Sequence, residues 1–215
     1  MKIGVFDSGV GGLSVANALK KAFRGHEIIL REDKQHLPYG TKSPEQILGF
    51  IMPIFQNLID LGCDLIVVAC NTVSTTLMDE LSHLFRVPLV GTEPMIQPAV
   101  TLTKSGIIAV CATPTTLASK RYSWLKETYA KGIKVLEPDC SDWAYMIEHK
   151  AIDQQKISSR INKLLHQNAD VIVLGCTHYH WIEAEIKALV AGKASVIQPE
   201  SLIIKQVKQV LKQLS

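Results

Sequence analysis

Two cysteines close two nearly identical apolar runs. Residues 64–70 read DLIVVAC and are followed by Asn71 and Thr72; residues 170–176 read DVIVLGC and are followed by Thr177 and His178. Cys70 and Cys176 stand 106 positions apart. The same offset carries IGVFD, ending at Asp7, onto AVCAT, ending at Thr113, and VPLVG near 88 onto ASVIQ near 194. Three strand ends aligned by one offset predict an internal duplication. Two similar halves would then present their cysteines to a shared cleft from opposite sides. A single-nucleophile mechanism has no use for that symmetry, but inversion of a carbon centre does. One base removes a proton from one face, one acid returns a proton to the other, and the roles exchange in the reverse direction. A free thiol titrates near about 8.5, so a modest local shift supplies the thiolate at neutral pH.

The neighbours of the cysteines suit this chemistry. Asn71, Thr72, Thr177 and His178 are hydrogen-bonding residues where a strand turns into a helix, and the backbone N–H groups exposed there favour an anionic carboxylate. Asp7 and His178 are candidate proton partners for the thiols. Each residue also has a plainer reading. A buried cysteine is often just a small hydrophobe, and an aspartate after a strand can simply cap a helix. A lone histidine in a loop is usually solvated. The glycines of DSGVGG (7–12) resemble part of a dinucleotide fingerprint, but the spacing is wrong and no Walker A lysine follows.

The elements that must position these groups follow from the apolar pattern. Strands are predicted at 2–7, 27–33, 64–70, 87–91, 106–113, 133–138, 170–176 and 194–199. Helices are predicted after the glycine turn, at 43–62 with Ser43 as N-cap and a kink at Pro53, at 73–85, 95–105, 115–129, 141–149, 153–166, 180–191, and along 201–214. Continuous runs such as DLIVVAC suit parallel strands buried on both faces. The expected fold class is α/β: two Rossmann-like halves with parallel sheets, related by a pseudo-two-fold axis, with the site in the cleft between them beyond the strand carboxyl ends. The expected first domain is 1–92 plus 202–215, the last helix crossing back, and the second is 93–201.

Composition narrows the functional classes. The chain has 215 residues, 47% apolar and 20% charged, which is ordinary globular composition and excludes intrinsic disorder. A net charge of +3 with scattered basic residues gives no nucleic-acid groove. No apolar stretch is long enough for a transmembrane helix, and the N-terminus does not read as a signal peptide. Five cysteines without CxxC spacing argue against a disulfide framework or zinc site and suit a reducing, cytoplasmic location.

The motifs FDSGVGGLSV (6–15), PYGTKS (38–43), ACNTVS (69–74) and LGCTHY (174–179) together resemble the glutamate racemases of the aspartate/glutamate racemase superfamily. They lie in that family's order and span nearly the whole chain. The resemblance implies interconversion of L- and D-glutamate for bacterial peptidoglycan, with two cysteines as acid and base and no pyridoxal phosphate, other cofactor or metal. It implies that Cys70 and Cys176 are the acid/base pair, with Asp7, His178 and Glu148 near the chemistry. Ser8, Tyr39, Gly40, Asn71, Thr72, Thr113, Thr116 and Thr177 match substrate contacts, with Tyr39, Gly40 and nearby backbone N–H groups expected to meet the distal carboxylate. The implied partner is glutamate, with a homodimer compatible with the resemblance, and with no nucleic acid and no membrane. The chain departs from the motifs at three places. His36 stands where the family commonly has arginine, DCSDWAYMIE (139–148) replaces the usual CPLFVPLVE, and His180 replaces a proline. An aspartate racemase of the same superfamily is the nearest alternative. A cysteine-nucleophile hydrolase is a further one, but it leaves the second cysteine-ended strand without a purpose.

Overall fold

Eight apolar runs become eight strands. The computed structural model describes residues 1–214. Its first elements are β1 (Lys2–Asp7), α1 (Gly12–Ala22), β2 (Glu27–Glu32), α2 (Pro44–Asp60), β3 (Leu65–Val68), α3 (Asn71–Leu84), β4 (Leu89–Gly91) and α4 (Ile96–Leu102). The pattern then repeats as β5 (Ile107–Ala112), α5 (Pro114–Leu117), α6 (Lys120–Tyr129), β6 (Lys134–Leu136), α7 (Trp143–Glu148), α8 (Gln154–His166), β7 (Val171–Gly175), α9 (Glu183–Val190), β8 (Ser195–Ile197) and α10 (Glu200–Leu214). Every strand pair is parallel, and the two sheets have the same order, β2-β1-β3-β4 and β6-β5-β7-β8.

The shared topology carries the duplication, but the registers slide. Phe6 pairs with Val68, whereas Cys111, not Ala112, pairs with Leu174. The side-chain faces agree: Phe6 packs with Ile66 and Val68, and Cys111 packs with Ile172 and Leu174. A one-residue slip exchanges the two faces of a strand, so the structural counterpart of Thr113 is Ser8 rather than Asp7. The offset of 106 therefore holds for the two cysteine-ended strands and not for their neighbours.

Each sheet is covered on both sides. Ile3, Val5, Leu65 and Val67 face Val15 and Leu19 of α1 and Ile203, Val207 and Leu211 of α10. Phe6, Ile66 and Val68 face Ile51, Phe55 and Leu58 of α2 and Leu77 of α3. In the second sheet, Ile108, Val110, Val171 and Val173 meet Ile96 and Ala99 of α4 and Tyr122 of α6, and the opposite face meets α7, α8 and α9. Thus α10 does for the first sheet what α4 does for the second.

Local chemistry explains the boundaries that differ from expectation. The helix predicted over 115–129 is broken, because Thr113 and Ser119 each accept a backbone N–H three residues on, from Thr116 and Tyr122, and each starts its own helix. The helix predicted from 180 opens instead with a 3-10 stretch, Thr177–Ile182, before α9. The helix α2 begins at a capping box of Ser43 and Gln46 and runs through Pro53 unbroken. No helix among the described residues is long and apolar enough to cross a membrane.

Candidate active site

The carboxyl ends of β1, β3, β5 and β7 carry Asp7, Cys70, Thr113 and Cys176, and the two sheets turn these ends toward each other. A cavity of about 50 Å³ lies between them, lined by both cysteines together with Ser8, Asn71, Thr113 and His178. A larger cavity of about 550 Å³ lies behind α3, between β4 and α10, and touches neither thiol. Both sulfurs border the smaller one.

Two glycines let the halves approach this closely. A Cβ on Gly11 would sit against Thr177 Oγ1 and 2.6 Å from the His178 nitrogen. A Cβ on Gly40 would come 2.8 Å from that of Thr113. The glycine run after β1 thus serves backbone contact between halves, not a phosphate. Thr115 Oγ1 donates across the same seam to the Gly40 carbonyl at 2.6 Å.

The two thiols stand in different surroundings. Cys70, 4% exposed, is the N-cap of α3, and its sulfur lies 3.5 Å from Ser8 Oγ. Burial first, then the charge of Asp7, push the thiol up to about 12, against a smaller downward pull from Ser8 and the Val73 N–H. Cys176 precedes the 3-10 stretch, and its sulfur lies 3.9 Å from His178 Nδ1. His178 Nε2 lies 2.8 Å from Glu148 Oε2. Burial alone would lower the imidazole, but Cys176 and Glu148 outweigh it and lift it to about 10. Burial opposes ionisation of Glu148 as well, yet bonds from His178 and from the Val10 N–H, at 3.0 Å, bring its carboxyl below the usual range.

Asp7 is wholly buried. Desolvation raises its carboxyl, and His178, the Gly9 N–H at 2.9 Å and the Thr177 hydroxyl at 2.8 Å only partly offset this. Across the cavity stands a neutral chain of hydroxyls. Thr72 Oγ1 lies 3.0 Å from Thr113 Oγ1, which donates to Thr116 Oγ1 at 2.9 Å. Asn71 is 2% exposed, and neither polar atom of its amide has a hydrogen-bond partner. No other described residue lining the cavity holds such an orphaned group. A buried amide left unpaired costs free energy, and this one borders the cavity.

All thirteen residues singled out from the sequence thus lie around one cavity or one contact away from it. Tyr39 lines the cavity with its ring, and its hydroxyl hydrogen is donated to Asp33 Oδ2 at 2.5 Å. Asp33 and Thr115 were missed. Asp33 stands just past β2, where the logic of strand ends applied to Asp7 would have found it. Among the described residues, no three His, Cys, Asp or Glu side chains form a metal-holding group, and all five cysteines are free.

A model of a known family, Asp/Glu/hydantoin racemase, matches residues 3–207. The chain belongs to the Asp/Glu/hydantoin racemase family. Among the relatives of this racemase chain is the glutamate racemase of Roseiflexus sp. (strain RS-1), 32% identical over 98% of this chain and 79% of the relative. The glutamate racemase of Ralstonia pickettii (strain 12J) is 35% identical over 91% and 71%. The crystal structure of Escherichia coli glutamate racemase in complex with L-glutamate and the activator UDP-MurNAc-ala superimposes with a TM-score of 0.91, at 28% identity, over 98% of this racemase chain and 82% of that one.

Proposed function

We propose that this racemase interconverts L- and D-glutamate without a cofactor, with Cys70 and Cys176 as the two proton-transfer groups. The observation that carries the reading is the pair of sulfurs at one cavity, each brought there by the third strand of its own sheet. The thiolate on one side takes the Cα proton, and the thiol on the other side returns a proton to the opposite face.

The unequal surroundings assign resting roles. Cys70, held up near about 12, rests as the thiol and acts as acid. Cys176, on the other side of the cavity with its sulfur 3.9 Å from the His178 ring, acts as base. In the reverse direction Cys70 must lose its proton. Asp7, whose own carboxyl is raised, is the group suited to receive it. Asn71, Thr72 and the first N–H groups of α3 are the donors for the α-carboxylate, and Thr177 and Asp7 are the partners for the ammonium. These donors hold charge that builds toward Cα as the proton leaves, in a site that excludes water. Parting of the halves to admit the amino acid and closure over it would exclude water from this narrow cleft.

On this reading the working halves are 1–92 with 202–215, and 93–201. The D-glutamate formed supplies peptidoglycan synthesis in the cytoplasm, where five unpaired cysteines stay reduced. The test is a coupled assay for D-glutamate formed from L-glutamate by purified protein with no cofactor added, with L-aspartate run beside it. Glutamate is expected to be preferred by roughly 10–200-fold in kcat/KM, the range that one methylene sets. Equal values, or a preference for aspartate, would move the assignment to the aspartate enzyme and leave the two-thiol chemistry intact.

A further inference from the structure

The loop that carries Tyr39 is fixed by a chain of three side chains that the chemistry above does not use. Tyr39 is 2% exposed and donates its only hydroxyl hydrogen to Asp33 Oδ2 at 2.5 Å. Asp33, 6% exposed, follows β2, and its backbone N–H donates to the carbonyl of Asp7. His36 lies on the other side of the carboxylate, its Nδ1 2.9 and 2.8 Å from the two oxygens. The imidazole lies flat on Phe50 of α2, with ring centroids 3.9 Å apart and planes 3° from parallel. The ring of Tyr39 rests between Phe6 and Phe50, at 6.5 and 6.4 Å. His36 is therefore a wedge held by α2 and aimed at the acceptor that holds Tyr39.

A carboxylate this buried needs donors. With His36 and Tyr39 both donating, Asp33 keeps the phenol hydrogen turned away from the cleft. With His36 gone, the carboxylate keeps Tyr39 alone, and its position is no longer fixed by α2. The Tyr39–Gly40 segment then loses its anchor on the side opposite the Thr115 contact.

We propose that His36 is a positioning residue of the racemase site: acting through Asp33, it fixes the Tyr39 hydroxyl and so the wall formed by Tyr39 and Gly40, which meets the side-chain end of the substrate. The proposal rests on the glutamate racemase reading for its kinetic consequence. It does not rest on it for the Asp33–Tyr39 contact itself. Because the thiols lie elsewhere, the effect falls on substrate binding rather than on proton transfer.

The experiment compares wild type, His36→Ala, His36→Arg, Tyr39→Phe and the double variant His36→Ala/Tyr39→Phe. His36→Ala is expected to raise KM for L-glutamate roughly three- to tenfold, a part of what a hydrogen bond to a charged group is worth, with kcat within about twofold. His36→Arg keeps a planar N–H donor within reach of both oxygens and should hold KM within about twofold of wild type. In the Tyr39→Phe background, His36→Ala should add nothing further, since the hydroxyl it positions is absent. A second readout needs no activity. The Tyr39 Cζ carbon resonance, assigned by its loss in Tyr39→Phe, should move in His36→Ala and stay in place in His36→Arg. An unmoved resonance in His36→Ala overturns the proposal, as does the same KM rise with or without the Tyr39 hydroxyl. If wild type does not racemise glutamate, the reading of function fails, and the resonance still decides whether His36 holds Tyr39.

Discussion

Replacing Glu148 by glutamine tests how the charge on His178 is held. His178 is 3% exposed and stands lifted to about 10 from an ordinary 6.5. At about 1.36 kcal/mol per pH unit, that lift is on the order of 5 kcal/mol in favour of the imidazolium. The bond to Glu148, at 2.8 Å and to a charged acceptor, contributes about 1.5–3 kcal/mol of it. Glutamine keeps an oxygen for the Val10 N–H but removes the charge. His178 should then titrate roughly one to two pH units lower. The sign is fixed by the direction of the lift. A group raised in the folded protein works while protonated and fails as pH climbs through its folded value. Wild type should keep its kcat/KM up to about pH 10, and Glu148→Gln should fall away one to two units earlier. The two proteins should agree near pH 7 and differ by roughly two- to tenfold at pH 9. The assay is kcat/KM against pH, paired with titration of the His178 ring by NMR. A loss of equal size at every pH, or an alkaline limb that does not move, would refute the argument that Glu148 acts through the charge on His178.

Other expectations concern the thiols and the core. Cys70→Ser and Cys176→Ser should each nearly abolish racemisation, because a hydroxyl is far too weak an acid to serve either role near neutral pH; a Cys176→Ser protein with most of its activity would end the two-thiol account. In D₂O, D-glutamate formed from L-glutamate should carry deuterium at Cα, as mass spectrometry of the product will reveal, since a second thiol exchanges with solvent before it donates. Ile203→Ala on α10 empties a position that is 1% exposed and packed against the first sheet, and should cost about 2–5 kcal/mol in urea unfolding. That side chain touches no part of the small cavity, so its kcat at low temperature should hold.

Much of this was legible before the structure. Apolar runs buried on both faces marked the parallel strands, and the residues at their carboxyl ends meet around one cavity. What escaped was set by contacts that no local pattern encodes. The pairing registers of β5 and β8 depend on hydrogen bonds between distant segments, so the constant offset drawn through Asp7 and Thr113 fails by one residue. The partner of the Tyr39 hydroxyl escaped because its acceptor, Asp33, is brought to it by the turn between them. The break at Ser119 was visible as a capping residue, but the apolar spacing on either side concealed it. His178 was named for its place just after Cys176, and Glu148 only through the resemblance. Their distance in sequence hides that they form one chain with Cys176.

The place of α10 also sets an order of events during synthesis. One face of the first sheet is closed only when Ile203, Val207 and Leu211 reach it, and these are encoded after the whole of the second sheet. At about 5–20 residues per second, the stretch between β4 and α10 takes roughly 5–20 s to translate. Through that interval Ile3, Val5, Leu65 and Val67 lack half of their cover on the nascent chain. The second sheet meets the reverse situation, because α4 leaves the ribosome before the strands that it will cover. Two sheets alike in topology are thus born in opposite order relative to their lids. A chain that stalls before residue 200 carries a second half nearly able to close and a first half with an apolar face open to other chains, which makes the early strands the point where interrupted synthesis would turn into aggregation.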